Sequence, residues 1–147
     1  MKINGQCHCG EISFEAEVEA ALFGICHCTD CQALTGSAFN ASVPVPVANF
    51  VLVRGNPNTY VKTAADGRKS QSRFCGNCGS RVYSHSESDP NIYRIRLGVI
   101  AQRAKFSARG QIWRRSALPW VDTISSIKAH DGQPHQQTAK PVEPGAA

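Results

Sequence analysis

A chain of 147 residues with 41% hydrophobic and 18% charged side chains has the size of one domain and enough apolar residues for a core, which excludes an intrinsically disordered protein. No stretch reaches the roughly 18 consecutive apolar residues of a membrane span, and the opening MKINGQCHCGE lacks the apolar core of a secretion signal, so the expected location is the cytoplasm. The net charge of +5, from 16 Lys and Arg against 11 Asp and Glu, is dispersed, with no basic run longer than Arg68-Lys69 and Arg114-Arg115; nucleic acid is not an expected partner.

Strand signals dominate along the chain. EISFEAEV sets Ile12, Phe14, Ala16 and Val18 on one face and Glu11, Ser13, Glu15 and Glu17 on the other, the period-2 pattern of a half-buried strand. TDCQALTG breaks the pattern: Thr29 with Gln32 reads as a capping box and Gly36 as a C-cap, so a helix of about two turns is expected to start at Thr29 with Cys31 in its first turn. FVLVRG, TYVKTA, QSRF, RVYS and IYRIRLGVI are further short runs rich in β-branched and aromatic residues. Turn formers separate them at Asn56-Pro57, at Asp66-Gly67, read as a hairpin tip, and at Asp89-Pro90. Pro119-Trp120 is expected to cap the last strand. From Lys128 onward three prolines and three glutamines accompany almost nothing that could be buried, so residues 1–127 are read as the folded domain and 128–147 as a disordered tail.

Seven cysteines without a secretion signal argue for metal rather than disulfides, because the cytosol keeps thiols reduced and an odd count leaves one unpaired. Cys7 and Cys9 in CHCG, and Cys75 and Cys78 in CGNCG, form two similar knuckles. Each ends in a glycine that lets backbone N–H groups fold over the sulfurs. Together they supply the four ligands of a closed zinc site, which would cross-link a small β domain. The competing reading of Cys75 and Cys78 is a redox pair, but that motif opens a helix in a βαβ pattern not evident here.

Cys26, Cys28 and Cys31 remain. Three protein ligands leave a tetrahedral zinc with one open position, the arrangement of a catalytic site. Two other readings stand beside it: three thiols with no metal, made reactive by a helix N-terminus, or a site closed by His27 or Asp30. His27, between two ligands, is expected to point away. Three thiolates on a divalent ion sum to a charge of about −1, which weakens water activation and favours a thiol as fourth ligand, held as thiolate at neutral pH. A zinc deaminase would also use such a site, but its histidine-x-glutamate precedes its cysteine pair, whereas His85-Ser86-Glu87 follows Cys75 and Cys78. Phe39, Phe74, Trp113 and Trp120 are read as core before pocket lining, and Arg73, Arg81, Arg94 and Arg96 as solvated strand faces, one or two of them able to meet a carboxylate.

In combination and in this order, GQCHCGEISFE, CHCTDCQALTGSAF, RFCGNCGSRVYS and IWRRSALPW resemble the glutathione-dependent formaldehyde-activating enzyme family, which also contains a centromere-protein-V-like branch. The resemblance covers residues 3 to 122. It implies a mainly β, zinc-stabilised β-tent of small antiparallel sheets, with one short helix at the second cysteine cluster. By position it assigns Cys7, Cys9, Cys75 and Cys78 to a structural zinc and Cys26, Cys28 and Cys31 to a second, catalytic-type zinc, two per chain. The implied activity joins glutathione to formaldehyde, as a carbon–sulfur lyase, with a small thiol and an aldehyde as partners. A homo-oligomer is compatible with it. The rival from another class is a non-catalytic zinc-stabilised module binding protein or nucleic acid.

Overall fold

Strict alternation shapes the smaller of two sheets. The computed structural model describes residues 1–64 and 66–133. In it β1 (Lys2–Gln6) pairs antiparallel with β2 (Ser13–Glu17), which pairs antiparallel with β5 (Phe50–Arg54). Phe14 and Ala16 are buried while Glu15 and Glu17 face solvent, and Ile12 and Val18 are buried just beyond the strand ends. β1 was not foreseen. Its Gly5 crosses the ring of Phe14 so closely that a Cβ there would stand 2.4 Å from Phe14 Cζ and 2.3 Å from the carbonyl oxygen of Val99.

Seven strands form the larger sheet: β3 (Leu22–Cys26), β4 (Asn40–Pro46), β6 (Asn58–Thr63), β7 (Lys69–Phe74), β8 (Arg81–Ser86), β9 (Asp89–Arg96) and β10 (Ser107–Ile112). Their order is β10-β3-β4-β9-β8-β7-β6, antiparallel throughout except for the parallel edge pair β10–β3. The fold is thus mainly β, as expected, with β3, β4 and β10 added to the strands read from the sequence. Pro44 and Pro46 disguise β4. Two apart, they lose their N–H groups on the same edge, and β3 pairs only with Asn40 to Ser42, so no partner strand is left short there.

The core lies between the sheets. Val43, Val45, Val82 and Ile95 of the large sheet are fully buried. Phe50 packs on Phe14 of the small sheet and on Tyr83 and Tyr93 of the large one, with ring centroids 4.8 to 5.5 Å apart. The opposite face of the large sheet carries polar residues.

Asp66-Gly67 lies in the β6–β7 turn as expected, with Gly67 at φ +83°. The β8–β9 turn is Glu87-Ser88, two residues earlier than read; Asp89 and Pro90 already belong to β9, Asp89 facing Ser86. Pro119 does not cap a strand but opens a 3-10 stretch, Pro119–Ser126. Trp113 and Trp120 are not core, being 49% and 45% exposed, and Phe39 and Phe74 are half-buried. Residues 128–133 are exposed and irregular, and the rest of the expected tail, 134–147, lies outside the described residues. Among the described residues no helix is long and apolar enough to cross a membrane.

Candidate metal centres and the adjoining cleft

Both cysteine groups singled out by spacing come together in space. Cys7 and Cys9 follow β1, and Cys75 and Cys78 sit between β7 and β8, so their cluster ties the small sheet to the large one. Each knuckle is wound by its own backbone. Gly10 N–H donates to the Cys7 carbonyl at 3.0 Å and Gly79 N–H to that of Cys75 at 2.9 Å, with both glycines at positive φ. The sulfurs of Cys7 and Cys9 are 3.6 Å apart, and those of Cys9 and Cys75 3.7 Å. A disulfide needs about 2.05 Å. A tetrahedron with zinc–sulfur bonds of about 2.3 Å has edges near 3.8 Å, so four soft donors at this spacing fit zinc. Ser80 Oγ lies 3.3 Å from Cys78 Sγ and receives the N–H of His8 at 3.1 Å, bridging the knuckles. The Ser80 hydroxyl and N–H hold the Cys78 thiol down to about 5.

The second group draws one residue from each of three local structures. Cys26 ends β3, Cys28 lies in the connection, and Cys31 sits in the first turn of α1 (Thr29–Thr35). Their sulfurs lie within 4.8 Å of one another, and all three residues are half-buried. The helix begins at Thr29 as expected, but the capping box does not form. Cys28 is the N-cap and its sulfur accepts from Cys31 N–H at 3.4 Å. Gly36 closes the helix in the left-handed conformation, as read. The Cys31 thiol donates to Cys26, and the Cys28 N–H also faces it, so the Cys26 thiol is pushed down to about 5 despite burial; Cys31 is pushed up correspondingly. Three polarised thiols this close suit a soft divalent ion.

His27 points away, as expected. It is fully buried and shares a hydrogen bond with Gln111 Oε1 at 2.8 Å, so its Nε2 carries the proton. Gln32, freed from capping, donates to the carbonyls of His27 and Ser116, both at 2.8 Å. These contacts pin the Cys26–Cys28 loop to β10 and the chain after it. His85 stacks toward Tyr93 on the core side, apart from both clusters.

The cleft beside the second cluster, about 720 Å³, was not legible in the sequence. Cys26, Cys28 and Cys31 line one side and the outer face of the large sheet forms the floor, where Ser72 faces Ser84 and Ser84 faces Arg94 across the strands. Trp113 stands in its wall at φ +60°, the one non-glycine at positive φ among the described residues, with Arg115 stacked 4.5 Å from its ring centroid. Lys62 in the wall is ion-paired with Asp30 of α1, and Arg94 with Asp89 at 2.8 Å.

Of the arginines read as solvated strand faces, Arg81, Arg94 and Arg96 line this cleft, where the Arg94 side chain remains 42% exposed. Arg94 and Arg96 alternate with buried Ile95. Arg81 would lie on Tyr83's face by simple alternation. A bulge at Val82, where Arg73 pairs with Tyr83 and Phe74 with Arg81, turns it to the cleft side. There its Nε donates to Ser72 Oγ at 2.9 Å and its Nη1 to the Leu34 carbonyl at 3.1 Å, anchoring α1 over the sheet. Arg73 stays on the other face with Thr59 and Gln71.

Comparison with known proteins agrees with this architecture. A crystal structure of a Rhodobacter sphaeroides protein superposes with a TM-score of 0.58 at 20% identity, over 74% of this chain and 98% of that one, a likeness of fold. The sequence model of the glutathione-dependent formaldehyde-activating enzymes matches residues 2–116. With both cysteine groups assembled and most of its length matched, the chain belongs to the glutathione-dependent formaldehyde-activating enzyme family.

Proposed function

We propose that this chain is a zinc-dependent carbon–sulfur lyase-type enzyme that joins a small, glutathione-like thiol to an aldehyde such as formaldehyde, or cleaves the product. One observation carries the reading: the three-cysteine group opens onto a cleft of about 720 Å³, within the range of small-molecule sites. Cys7, Cys9, Cys75 and Cys78 would hold a structural zinc, and Cys26, Cys28 and Cys31 a second one. When bound there, zinc supplies a Lewis acid with one coordination position left over, which favours the ionised form of an incoming thiol.

The chain's own residues do the rest. The cleft walls bring thiol and aldehyde together, replacing a bimolecular encounter by a held pair. The sulfur bonds to the carbonyl carbon, the C=O π electrons move to oxygen, and the proton lost by the thiol ends on that oxygen. The reverse steps cleave the carbon–sulfur bond. The pinned loop of Cys26, His27 and Cys28 keeps the donor set in place. Seven unbridged thiols suit a reducing compartment, the cytoplasm. The interaction-module reading is less supported, because Arg81, Arg94 and Arg96 turn into a cleft beside cysteines rather than onto an outer surface.

Metal analysis of the purified chain, followed by glutathione titration of cobalt-substituted protein, tests this. Two metals per chain and a cobalt spectrum altered by glutathione are expected. One metal per chain, or a spectrum indifferent to saturating glutathione, overturns the reading.

A further inference from the structure

Arg96 is short of partners in a way that the cysteine chemistry does not explain. A guanidinium carries five N–H donors. Here Nη2 reaches Ser84 Oγ at 3.3 Å, while Nε is buried without any hydrogen-bond partner. Among the described residues neither Arg96 nor Arg81 makes an ion pair; the carboxylates near the cleft, Asp30 and Asp89, are engaged by Lys62 and Arg94. Burial and the neighbouring Arg81 push Arg96 down to about 10, so the two cations sit close enough to repel. The cluster sulfurs offset part of this charge, but a divalent ion among them would neutralise two thiolates out of three. Two adjacent guanidiniums in a cleft whose lining carboxylate, Asp30, is already paired with Lys62, on a floor set with Ser72 and Ser84, are the donor side of an oxyanion site.

We propose that Arg96, with Arg81 beside it, forms an anion subsite on the cleft floor that receives a carboxylate of the thiol substrate while the sulfur is directed to the three-cysteine cluster. The proposal rests on the reading of the cleft as a thiol site and adds the residues that would select a thiol by a carboxylate remote from its sulfur. Neutral thiols of equal size would be poorly held. Arg81 has a second task, since its bonds to Ser72 and Leu34 hold α1, so Arg96 is the cleaner position to test.

Calorimetric titration of the zinc-loaded full chain with S-methylglutathione, which keeps both carboxylates but has no thiol, isolates the subsite from the sulfur chemistry. The acid is expected to bind about ten- to a hundredfold more tightly than its diethyl ester, the range of one charge-assisted contact. Arg96→Met should lower the acid to the affinity of the ester and leave the ester unchanged, and Arg96→Lys should recover part of the difference. Equal binding of acid and ester by the wild type, equal weakening of both by Arg96→Met, or no binding of S-methylglutathione where glutathione binds, would overturn the subsite. Competition by inorganic phosphate far stronger than by acetate would overturn its assignment to carboxylates. Should S-methylglutathione bind as expected and glutathione bind no tighter, the subsite stands and the metal–thiol reading fails.

Discussion

Cys28 Sγ accepts the N–H of Cys31 at 3.4 Å, so one cysteine of the triple caps the helix that carries another. The cysteine triple and the helix start are therefore a single local structure, and substitutions at Cys28 should separate capping from the proposed metal binding. Cys28→Ser keeps a capping oxygen and Cys28→Ala does not. Both are expected to lower the metal content from two per chain to one. With the second site empty in both, the alanine variant should be less stable than the serine variant by about 1 kcal/mol, the usual worth of an N-cap. Metal analysis and urea denaturation of the pair check this; equal stability would show that the sulfur contributes no cap.

Acid should release metal from the second cluster in two regimes. Binding requires ionised sulfurs, and Cys31 holds its proton because it donates it to Cys26. Apparent zinc affinity should therefore rise with pH through neutrality as that proton is displaced more easily. It should fall more steeply below about 5, where Cys26 itself takes up a proton. Competition against a chelator of known pH dependence measures the profile, and a flat one contradicts the assignment of Cys26 and Cys31 as ligands.

Gly5 is wedged between the Phe14 ring of the neighbouring strand and the backbone at Val99. A methyl group there would meet the Val99 carbonyl and the Phe14 ring at under 2.5 Å, and the first of these is backbone that cannot swing aside. Gly5→Ala is expected to destabilise the chain by about 1–3 kcal/mol, the usual cost of overpacking a tight contact. An unchanged denaturation midpoint would mean the β1 register differs from Gly5 opposite Phe14.

Trp113 holds a left-handed backbone conformation that costs a non-glycine residue about 1–2 kcal/mol, and its side chain is 49% exposed. Strain kept for so little burial points to the cleft it lines. Trp113→Gly should leave stability within about 1 kcal/mol, because relief of strain offsets lost packing, while weakening thiol binding. A large loss of stability with intact binding would instead make the indole a structural element.

Spacing alone was enough to partition the seven cysteines. Cysteines two or three positions apart cannot avoid being neighbours, and the glycine after each knuckle permits the tight turn. The short helix at Thr29 and the buried face of β2 were legible for the same reason, since they are local consequences of period and capping. Locally readable signals failed where a partner decides the outcome. Pro44 and Pro46 look like strand breakers, yet β4 lies inside the sheet because their missing N–H groups fall where β3 has ended. Gln32 fits a capping box but bonds to Ser116, a residue no local pattern connects with it.

The amino-acid order by itself determined the two cysteine knuckles, the cysteine triple and the mainly β character, because sulfur spacing and side-chain alternation act within a few residues; the meeting of Cys9 with Cys75 needs the two sheets to pack. Only the tertiary structure decided that the second cluster opens on a cationic cleft. Arginines alternating with Ile95 look the same whether their outer face meets water or a cleft wall, and Arg81 reaches that face through a bulge that exists only once β7 and β8 are paired.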